Sequence, residues 1–369
     1  MPENWRGRFA AWRNRLLLSR GFQRLALALP PLRGRARSEA RALFDLGAGF
    51  IYAQTLSACV ELHVFELLAD GGRLGTPLAA DVGLSPRAGW TLFRAAAALR
   101  LLEIEGEEVR LGMLGAALLG NAGVREMVRH HAILYRDLAD PVALLRRPRG
   151  EAGLAAYWAY AGVEAPEAAA PEAVAAYSAL MAASQPMVAE QVLDAYPVGR
   201  HRRLLDVGGG EGAFLAAAAA RAPRLQLMLF DLPAVTERAK ARLGAAGLGE
   251  RLSLYPGSFF KDALPGGADL VSLIRILHDH DDDAALAILQ AARAALPPDG
   301  ALLIGEPMAG APGAHSVEAY FCLYLLAMGR GRPRTPAEIA GLCRAAGFRR
   351  VRSIPTRLPL AAGVILARP

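Results

Sequence analysis

Five apolar segments in the C-terminal half of the chain are each followed at once by glycine or polar residues. This repeated pattern restricts the fold more than any other feature of the sequence. Alanine-rich helical stretches separate the segments, as expected for an α/β fold built on an open parallel sheet. Because ligands bind at the carboxyl ends of such strands, the residues that follow the segments should gather into one site. The segments are 203–207, 225–230, 252–255, 268–277 and 301–305.

The first segment leads into the glycine-rich loop Gly208-Gly209-Gly210-Glu211-Gly212 and then into a helix. Glycines let the backbone approach a ligand closely, and the helix N-terminus offers free N–H groups. The loop alone is ambiguous, because Gly208, Gly210 and Ala213 also match the dinucleotide-binding pattern, and a loop packed only for tightness is a third reading. Asp231 ends the second segment, nineteen residues beyond Gly212. An acid there can accept both hydroxyls of an adenosine ribose.

His278 is the candidate general base. It follows the fourth segment, so pairing of that strand should hold it rigidly at the ligand edge. A neutral imidazole near its ordinary pKa can accept a proton from a substrate hydroxyl. Glu306 follows the fifth segment, where it could orient the ring or stabilise its charged form.

The run His278-Asp279-His280-Asp281-Asp282-Asp283 also resembles a metal cluster. A helix should begin here, however, and aspartates at a helix start cap its N–H groups and match its dipole. We therefore favour helix capping and predict no metal ion.

The N-terminal arm carries most of the excess charge of the chain. Residues 1–41 contain ten arginines against two glutamates, whereas the formal net charge of the whole chain is +7. Trp5, Phe9, Trp12 and Leu16 are spaced to share one helical face. A basic helix with tryptophans on its apolar side suits an anionic membrane surface, but the arm could equally pack on its own or a partner's body. Pro30-Pro31 and the following Arg33-Gly34-Arg35 predict a linker.

Residues 40–120 predict a winged helix, with a short helix and a glycine turn within 76–86, a longer helix at 87–101 and a two-stranded wing at 103–111. DNA binding would require a basic recognition helix and wing, but the helix has only three arginines and the wing is acidic. We therefore predict a dimerisation scaffold and no nucleic-acid partner. The chain would divide into four parts: the arm 1–39, this domain 40–120, a helical linker and substrate-pocket segment 121–198, and a cofactor-binding catalytic domain 199–369.

Two further features bear on location and on the linker segment. No uninterrupted apolar run is long enough to span a bilayer, and no secretory signal is evident. The three cysteines lack metal-like spacing and are interpreted as reduced, largely buried cytosolic thiols, which predicts a cytoplasmic protein. The adjacent His130 and His131 cannot share a helical face, so we interpret them as structural or solvent-facing.

Together these motifs resemble the class I methyltransferase fold, specifically the family of plant caffeate-type and acetylserotonin O-methyltransferases and their bacterial relatives. The resemblance runs from about residue 40 to the C-terminus. It implies a Rossmann-like α/β sheet, a preceding winged-helix domain that forms homodimers, and S-adenosylmethionine as cofactor. The motifs that carry it are Leu205-Asp206-Val207-Gly208-Gly209-Gly210, Phe230-Asp231-Leu232-Pro233, Gly257-Ser258-Phe259-Phe260, His278-Asp279 and Gly305-Glu306.

The resemblance also implies roles for single residues. The catalytic set would be His278, Glu306 and Asp279, and Met181 would line the substrate pocket. Two departures from the family pattern concern Ser258, where plant enzymes usually have Asp, and a second bracing glutamate that is replaced near Pro333. Base activation would therefore depend more on positioning than on charge. The cofactor-binding set would be Asp206, Gly208, Gly210, Gly212, Asp231, Leu232, Ser258, Phe259 and Arg275.

Within this family, three stretches are most similar to bacterial carotenoid O-methyltransferases: the arginine-rich N-terminus, residues 42–46 and residues 278–283. Those enzymes methylate the tertiary 1-hydroxyl of demethylspheroidene or 1-hydroxyneurosporene in purple bacteria. The similarity implies a hydrophobic acceptor and a peripheral contact of residues 1–25 with the inner, photosynthetic membrane. Three alternatives stay open: O- or C-methylation of an aromatic polyketide or bacteriochlorophyll precursor, an NAD-dependent oxidoreductase, and a winged-helix regulator.

Overall fold

The computed structural model describes residues 5–148, 150–158, 185–310 and 315–369. The chain forms two compact units, Met1–Leu119 and Gly120–Pro369. The finer division into four parts stays a prediction.

The first unit is mainly helical and contains one small sheet. Its three strands are antiparallel and lie in the order β1-β3-β2. Helix α5, a turn and helix α6 precede the β2–β3 hairpin, which is the order of elements predicted for a winged helix. The elements are α1 Trp5–Leu18, α2 Arg20–Ala28, α3 Pro30–Glu61, α4 Val64–Leu67, β1 Arg73–Leu74, α5 Gly75–Asp81, α6 Pro86–Ala98, β2 Leu102–Glu105, β3 Glu108–Leu111 and α7 Met113–Leu119.

The predicted linker at Pro30-Pro31 is wrong, because these prolines begin helix α3. Proline is tolerated in the first turn of a helix, where its missing N–H has no intrahelical acceptor. Helix α3 is also long and apolar enough to cross a membrane, with a window of mean hydropathy 1.3 that is 17% buried. The sequence had predicted no segment long enough to span a bilayer. Helices of this length and composition also occur in the cores of globular proteins.

Helix α1 presents its aromatic side chains to the surface. Trp5 is 66% exposed and Trp12 is 57% exposed, and the rings of Phe9 and Trp12 lie 5.7 Å apart. Aromatic side chains of α1 are therefore exposed, and whether the arm packs on a body or on a membrane stays a matter for experiment.

The second unit is built on a seven-stranded sheet. Its helices and strands are α8 Ala122–Asp137, α9 Pro141–Arg146, α10 Gly153–Trp158, α11 185–195, β4 Arg203–Val207, α12 Ala213–Arg221, β5 Gln226–Asp231, α13 Pro233–Ala245, β6 Leu252–Pro256, β7 Leu270–Ile274, α14 Asp282–Ala295, β8 Ala301–Glu306, α15 His315–Met328, α16 Pro336–Ala345, β9 Arg350–Ile354 and β10 Gly363–Arg368.

The strands lie in the order β6-β5-β4-β7-β8-β10-β9. The five predicted strands pair in parallel, whereas β10, which was not predicted, pairs antiparallel with β8 and β9. Buried side chains from α11, α12 and α13 cover one face, and those from α14 and α16 cover the other. The strand order reverses between β4 and β7, where open α/β sheets bind their ligands. The predicted α/β fold class is confirmed.

The fourth strand is shorter than predicted. It ends at Ile274 rather than at residue 277, because Arg275 takes a left-handed conformation with φ 59°. Residues Leu277–Asp279 then form a single turn of 3₁₀ helix. His278 therefore lies on a turn outside the sheet, and strand pairing does not hold it.

The three cysteines are free. Burial raises the pKa of Cys59 and of Cys343 to about 12, as expected for buried thiols. Cys322 on α15 is exposed, so the prediction of buried thiols is wrong for this residue.

Candidate active site

The glycine loop after β4 requires its glycines. Gly208, Gly210 and Gly212 have φ angles of 69°, 57° and 79°, which L side chains rarely adopt. A Cβ at Gly208 would lie 2.5 Å from the side chain of Ile276, whereas a Cβ at Gly210 would meet no atom within 4 Å. The loop therefore packs tightly on one side and leaves space at Gly210.

Asp231, the last residue of β5, ties the loop to the neighbouring strand. Its Oδ2 accepts a hydrogen bond from the Gly210 N–H at 2.8 Å, and its Oδ1 accepts one from the Leu232 N–H at 2.7 Å. Burial raises the pKa of Asp231 to about 6, although both backbone hydrogen bonds act in the opposite direction. Each oxygen retains a second lone pair for a ligand hydroxyl.

Asp206 is buried near the end of β4 and is only half satisfied. Its Oδ1 accepts a hydrogen bond from Ser272 Oγ at 2.6 Å. Its Oδ2 has no hydrogen-bond partner among the described residues. Burial raises the pKa of Asp206 to about 7, and the charge of Asp231 adds to this effect. A buried acceptor without a partner is unfavourable unless a ligand donor reaches it.

The loop after β6 is held by a residue that the sequence reasoning missed. Asp262 Oδ2 accepts a hydrogen bond from the Ser258 N–H at 2.8 Å, while Ser258 Oγ accepts one from the Phe260 N–H. Phe259 lies edge-on to His280, with ring centroids 5.6 Å apart. The available signal was an aspartate within a short loop that also contains Gly257, since Asp is a typical turn residue.

His278 is buried between two carboxylates. Glu306 Oε2 lies 3.3 Å from Nδ1 and also accepts the His278 backbone N–H at 3.1 Å. Asp279 Oδ1 lies 3.1 Å from Nε2. The second oxygen of Glu306 is buried without a partner among the described residues. The end of β8 therefore positions one carboxylate, and the 3₁₀ turn supplies the other.

The two carboxylates raise the pKa of His278. Burial lowers it and is the largest single influence, but Asp279 and Glu306 together outweigh burial and the charge of Arg275. From the replacement near Pro333 we expected less charge around the base. The structure differs, because Asp279 provides a second carboxylate from the adjacent position in the chain.

The acidic run after His278 does not cap α14 as predicted. Asp281 occupies the N-cap position, but its Oδ1 accepts a hydrogen bond from the Gly331 N–H at 3.1 Å rather than from an α14 N–H. Asp282 and Asp283 do lie in the first helical turn, where negative charge is favourable. Within the described ranges, no group of three or more His, Cys, Asp or Glu side chains is placed to hold a metal ion.

An aromatic wall on α15, formed by Tyr320, Phe321 and Tyr324, adjoins His278. The ring of Phe321 lies edge-on to the imidazole at 5.7 Å, and Tyr320 stacks on Tyr324. This wall was not predicted, although the spacing of its three rings places them on adjoining faces of one helix.

Two histidines of α8 hold the aromatic wall from the other side. His130 Nε2 lies 2.7 Å from the Tyr324 hydroxyl, and His131 Nε2 lies 2.9 Å from the Tyr320 hydroxyl. Burial lowers the pKa of both histidines, that of His130 to about 4. The structural interpretation of this pair agrees with these contacts, whereas the solvent-facing one does not. Adjacent positions on α8 can both reach α15, because Tyr320 and Tyr324 are one turn apart.

Of two other predicted site residues, the structure describes Arg275 but not Met181. Arg275 is half-buried, and its backbone N–H donates to the Gly305 carbonyl at 2.8 Å. Its positive charge acts on His278 and Tyr320. Met181 lies outside the described residues.

Comparison with known proteins identifies the class. Residues 135–349 match the O-methyltransferase domain family. The demethylspheroidene O-methyltransferase of Cereibacter sphaeroides is 44% identical over 355 residues, covering 96% of this chain and 93% of that protein. Its counterpart from Rhodobacter capsulatus is 40% identical, with coverages of 96% and 88%. Human N-acetylserotonin methyltransferase in complex with S-adenosylmethionine superposes with a TM-score of 0.73 at 26% identity, covering 89% and 97% of the two chains. The chain belongs to the O-methyltransferase family.

The protein is thus an enzyme that methylates a small molecule, with S-adenosylmethionine as methyl donor. The residues present fit this cofactor. Asp206 Oδ2, which has no partner among the described residues, suits a cationic amino group; Asp231 retains acceptor capacity for hydroxyls, and Gly210, which bonds to Asp231, leaves open space. The dinucleotide interpretation of the glycine loop is set aside.

Proposed function

We propose that the acceptor is the tertiary 1-hydroxyl of an acyclic carotenoid, demethylspheroidene or 1-hydroxyneurosporene, in spheroidene biosynthesis, and that His278 is the general base. The names of the two relatives with 44% and 40% identity support the acceptor. The observation that carries the proposal is the placement of His278, which has carboxylates at both ring nitrogens and the ring of Phe321 beside it. This arrangement combines proton acceptance with an apolar surface for a hydrocarbon chain.

When bound, S-adenosylmethionine supplies a methyl group on a positively charged sulfur. As the O–CH₃ bond forms, the sulfur would keep the electron pair of its broken methyl bond, and neutral His278 would accept the hydroxyl proton at Nε2. Glu306 would hold the other ring proton on Nδ1, and the acceptor hydroxyl would take the place of Asp279 Oδ1 beside the Nε2 lone pair. Asp279, whose carboxylate lies 3.1 Å from Nε2, then accepts a hydrogen bond from the protonated ring. The charge formed on the imidazole is therefore stabilised on both sides.

The cofactor residues divide into three groups in this proposal. Asp206 and the loop glycines Gly208, Gly210 and Gly212 hold the amino-acid end. Asp231 and Leu232 hold the ribose, and Ser258 and Phe259 flank the adenine. Support comes from two hydrogen bonds to Asp231 at the end of β5: the Gly210 N–H of the glycine loop donates to its carboxylate, and the Gly257 N–H after β6 donates to its carbonyl. Arg275 on the cofactor side and Met181 on the substrate side complete the proposed set.

The decisive experiment is methyl transfer from labelled S-adenosylmethionine to 1-hydroxyneurosporene or demethylspheroidene in detergent, beside a panel of aromatic phenols. Label in a methoxy-carotenoid is expected. Label only in phenols would retain the reaction and replace the acceptor with an aromatic polyketide or bacteriochlorophyll precursor. The His278→Ala variant is the control for transfer that does not depend on the base.

We further propose that the first unit is a winged-helix dimerisation domain without a nucleic-acid partner. Helix α3 leaves Leu43, Phe44 and Leu46 more than two-thirds exposed, as expected for a face covered by a second copy. The hairpin arginine, Arg110, pairs with Glu105 and Glu108, which leaves the wing without a cation for phosphate. Light scattering should give a dimer mass for the wild type and a monomer mass for Leu46→Asp; a dimer in both would remove α3 from the interface.

We also propose a cytoplasmic enzyme that contacts the inner, photosynthetic membrane peripherally through residues 1–25. The exposed Trp5 and Trp12 on the basic helix α1 support this contact. Flotation with anionic vesicles should recover the wild type but not a Trp5→Ser/Trp12→Ser variant, and neutral vesicles should recover less of the wild type. Equal recovery of both proteins would remove α1 from the contact.

A further inference from the structure

One fully buried arginine holds both ends of the turn that carries His278. Arg334 is 0% exposed. Its Nη1 donates to the Leu277 carbonyl at 2.6 Å, and its Nη2 donates to the His280 carbonyl at 2.7 Å. Its Nε and Nη2 also donate to Asp282 Oδ1. A planar guanidinium can make these bonds together, because its donors have a fixed geometry.

Arg334 belongs to residues 329–335, which connect α15 to α16 and which we call the strap. The Arg332 N–H donates to the His278 carbonyl at 3.0 Å, and the Gly331 N–H donates to Asp281. Gly331 has φ 74°, and a Cβ there would lie 2.1 Å from the His278 carbonyl oxygen. The strap therefore approaches the His278 turn closely over several residues.

The strap is itself anchored. At its C-terminal end, Thr335 and Glu338 form a capping box at the start of α16. The Arg334 carbonyl accepts a hydrogen bond from the Ala309 N–H at 2.9 Å, beyond the end of β8. Since β8 also carries Glu306, the same region positions the carboxylate and the arginine.

We propose that Arg334 is a positioning residue for His278. It fixes the peptide groups on both sides of the imidazole, where β7 has already ended and strand pairing is lost. The inference rests on the proposed role of His278 as base. Arg334 donates to carbonyl oxygens and to Asp282, whereas the charged groups that act on the imidazole are Asp279, Glu306 and Arg275. The strap thus supports the His278 turn by contacts to its backbone.

The test compares Arg334→Gln with Arg334→Lys and with Arg251→Gln as matched control. Arg251 also donates to carbonyl oxygens, those of Ala222, Pro223 and Leu225, far along the chain from the His278 turn. We expect Arg334→Gln to lower kcat about 10²-fold, the effect of a small misplacement of a reacting group, with acceptor KM and cofactor Kd nearly unchanged. Arg334→Lys should recover part of kcat, because an ammonium group can reach one of the two carbonyls. Arg251→Gln should keep the wild-type kcat.

A second pair of measurements separates positioning from loss of folding. Added guanidinium at millimolar concentration should restore kcat in Arg334→Ala, which general damage to the fold would not allow. Gly331→Ala keeps every charge but pushes on the His278 carbonyl, so it should lower kcat without weakening cofactor binding. If Arg334→Gln and Gly331→Ala both keep the wild-type kcat while His278→Ala is inactive, Arg334 is not a positioning residue, but the proposed role of His278 stands. An active His278→Ala variant would instead overturn the proposed base.

Discussion

The site has a cofactor half, which contains Asp206 and Asp231, and a base half, which contains His278 and Glu306. The two halves are held in place in different ways. Asp206 and Asp231 lie within strands; Ser272, the partner of Asp206, lies on the neighbouring strand β7, and Gly210, the partner of Asp231, lies in the glycine loop that follows β4. His278 lies on a turn beyond its strand and is held by side chains from β8 and the strap. The sheet therefore determines the first half through its backbone ladder. The second half depends on a few side chains, so substitutions there should change turnover before they change binding.

The sharpest test of this contrast is His278→Ala. We expect kcat to fall about 10²–10⁴-fold, the usual contribution of a general base, while the Kd for S-adenosylmethionine stays near the wild-type value. Single-turnover kinetics and calorimetry measure the two quantities separately. Unchanged turnover would remove His278 from the mechanism and with it the contrast between the two halves.

Asp231→Ala should produce the opposite pattern. Losing a charged acceptor that holds the Gly210 N–H and faces the cofactor should weaken S-adenosylmethionine binding about 10–100-fold, as for other hydrogen bonds to charged groups. Asp269→Asn is the control, because Asp269 also accepts backbone N–H groups, those of Arg202 and Arg203, at the start of β4. If both variants bind the cofactor like the wild type, the ribose site is misplaced.

Glu306→Gln tests the electrostatic part of the base half. The carboxylates raise the pKa of His278, so the neutral, active form of the base is lost as pH falls through a value above 6.5. Removing one carboxylate should move the acid limb of the kcat profile to lower pH, because one of the two groups that raise the pKa of His278 is then neutral. An acid limb that stays in place would mean that another group controls it.

Cofactor affinity should itself depend on pH. Burial raises the pKa of Asp206 to about 7 and that of Asp231 to about 6. A cationic ligand binds the carboxylate forms, so affinity is highest above these values and falls as pH decreases through them. Each carboxyl group should contribute a decrease of at most about tenfold per pH unit. Calorimetry between pH 8 and about pH 5 measures the slope, and a flat profile would contradict direct contact with either group.

The smallest effect is expected at the anchor of the strap. Thr335→Ala removes the hydroxyl that caps α16 and should lower the free energy of unfolding by about 1 kcal/mol. Because the Arg334 contacts stay intact, kcat should change little. Denaturant unfolding and steady-state kinetics check both parts, and a loss of turnover as large as in Arg334→Gln would show that the anchor, rather than the guanidinium, positions the turn.

Much of the cofactor half could be predicted from local patterns. The five parallel strands and Asp231 at a strand end follow from apolar runs with turn residues after them. The errors fall where distant segments compete with local preference. Asp281 has the sequence position of a helix cap, but the Gly331 N–H takes its carboxylate. Residues 275–277 are mostly apolar, yet the strand ends because Arg275 turns into a left-handed conformation.

Local sequence patterns were enough to predict the parallel sheet, the glycine loop and the side chains at the strand ends. The spacing of apolar residues, the local composition and the turn residues are properties of neighbouring positions, so they can be recognised in the sequence. The tertiary structure sets how His278 is held, because Glu306, 28 residues away in the chain, contacts its ring and backbone, and Arg334 bonds to the carbonyls of Leu277 and His280 on either side of it. It also decided that Trp5, Trp12 and Leu46 stay exposed, since burial depends on which surfaces meet and not on local pattern.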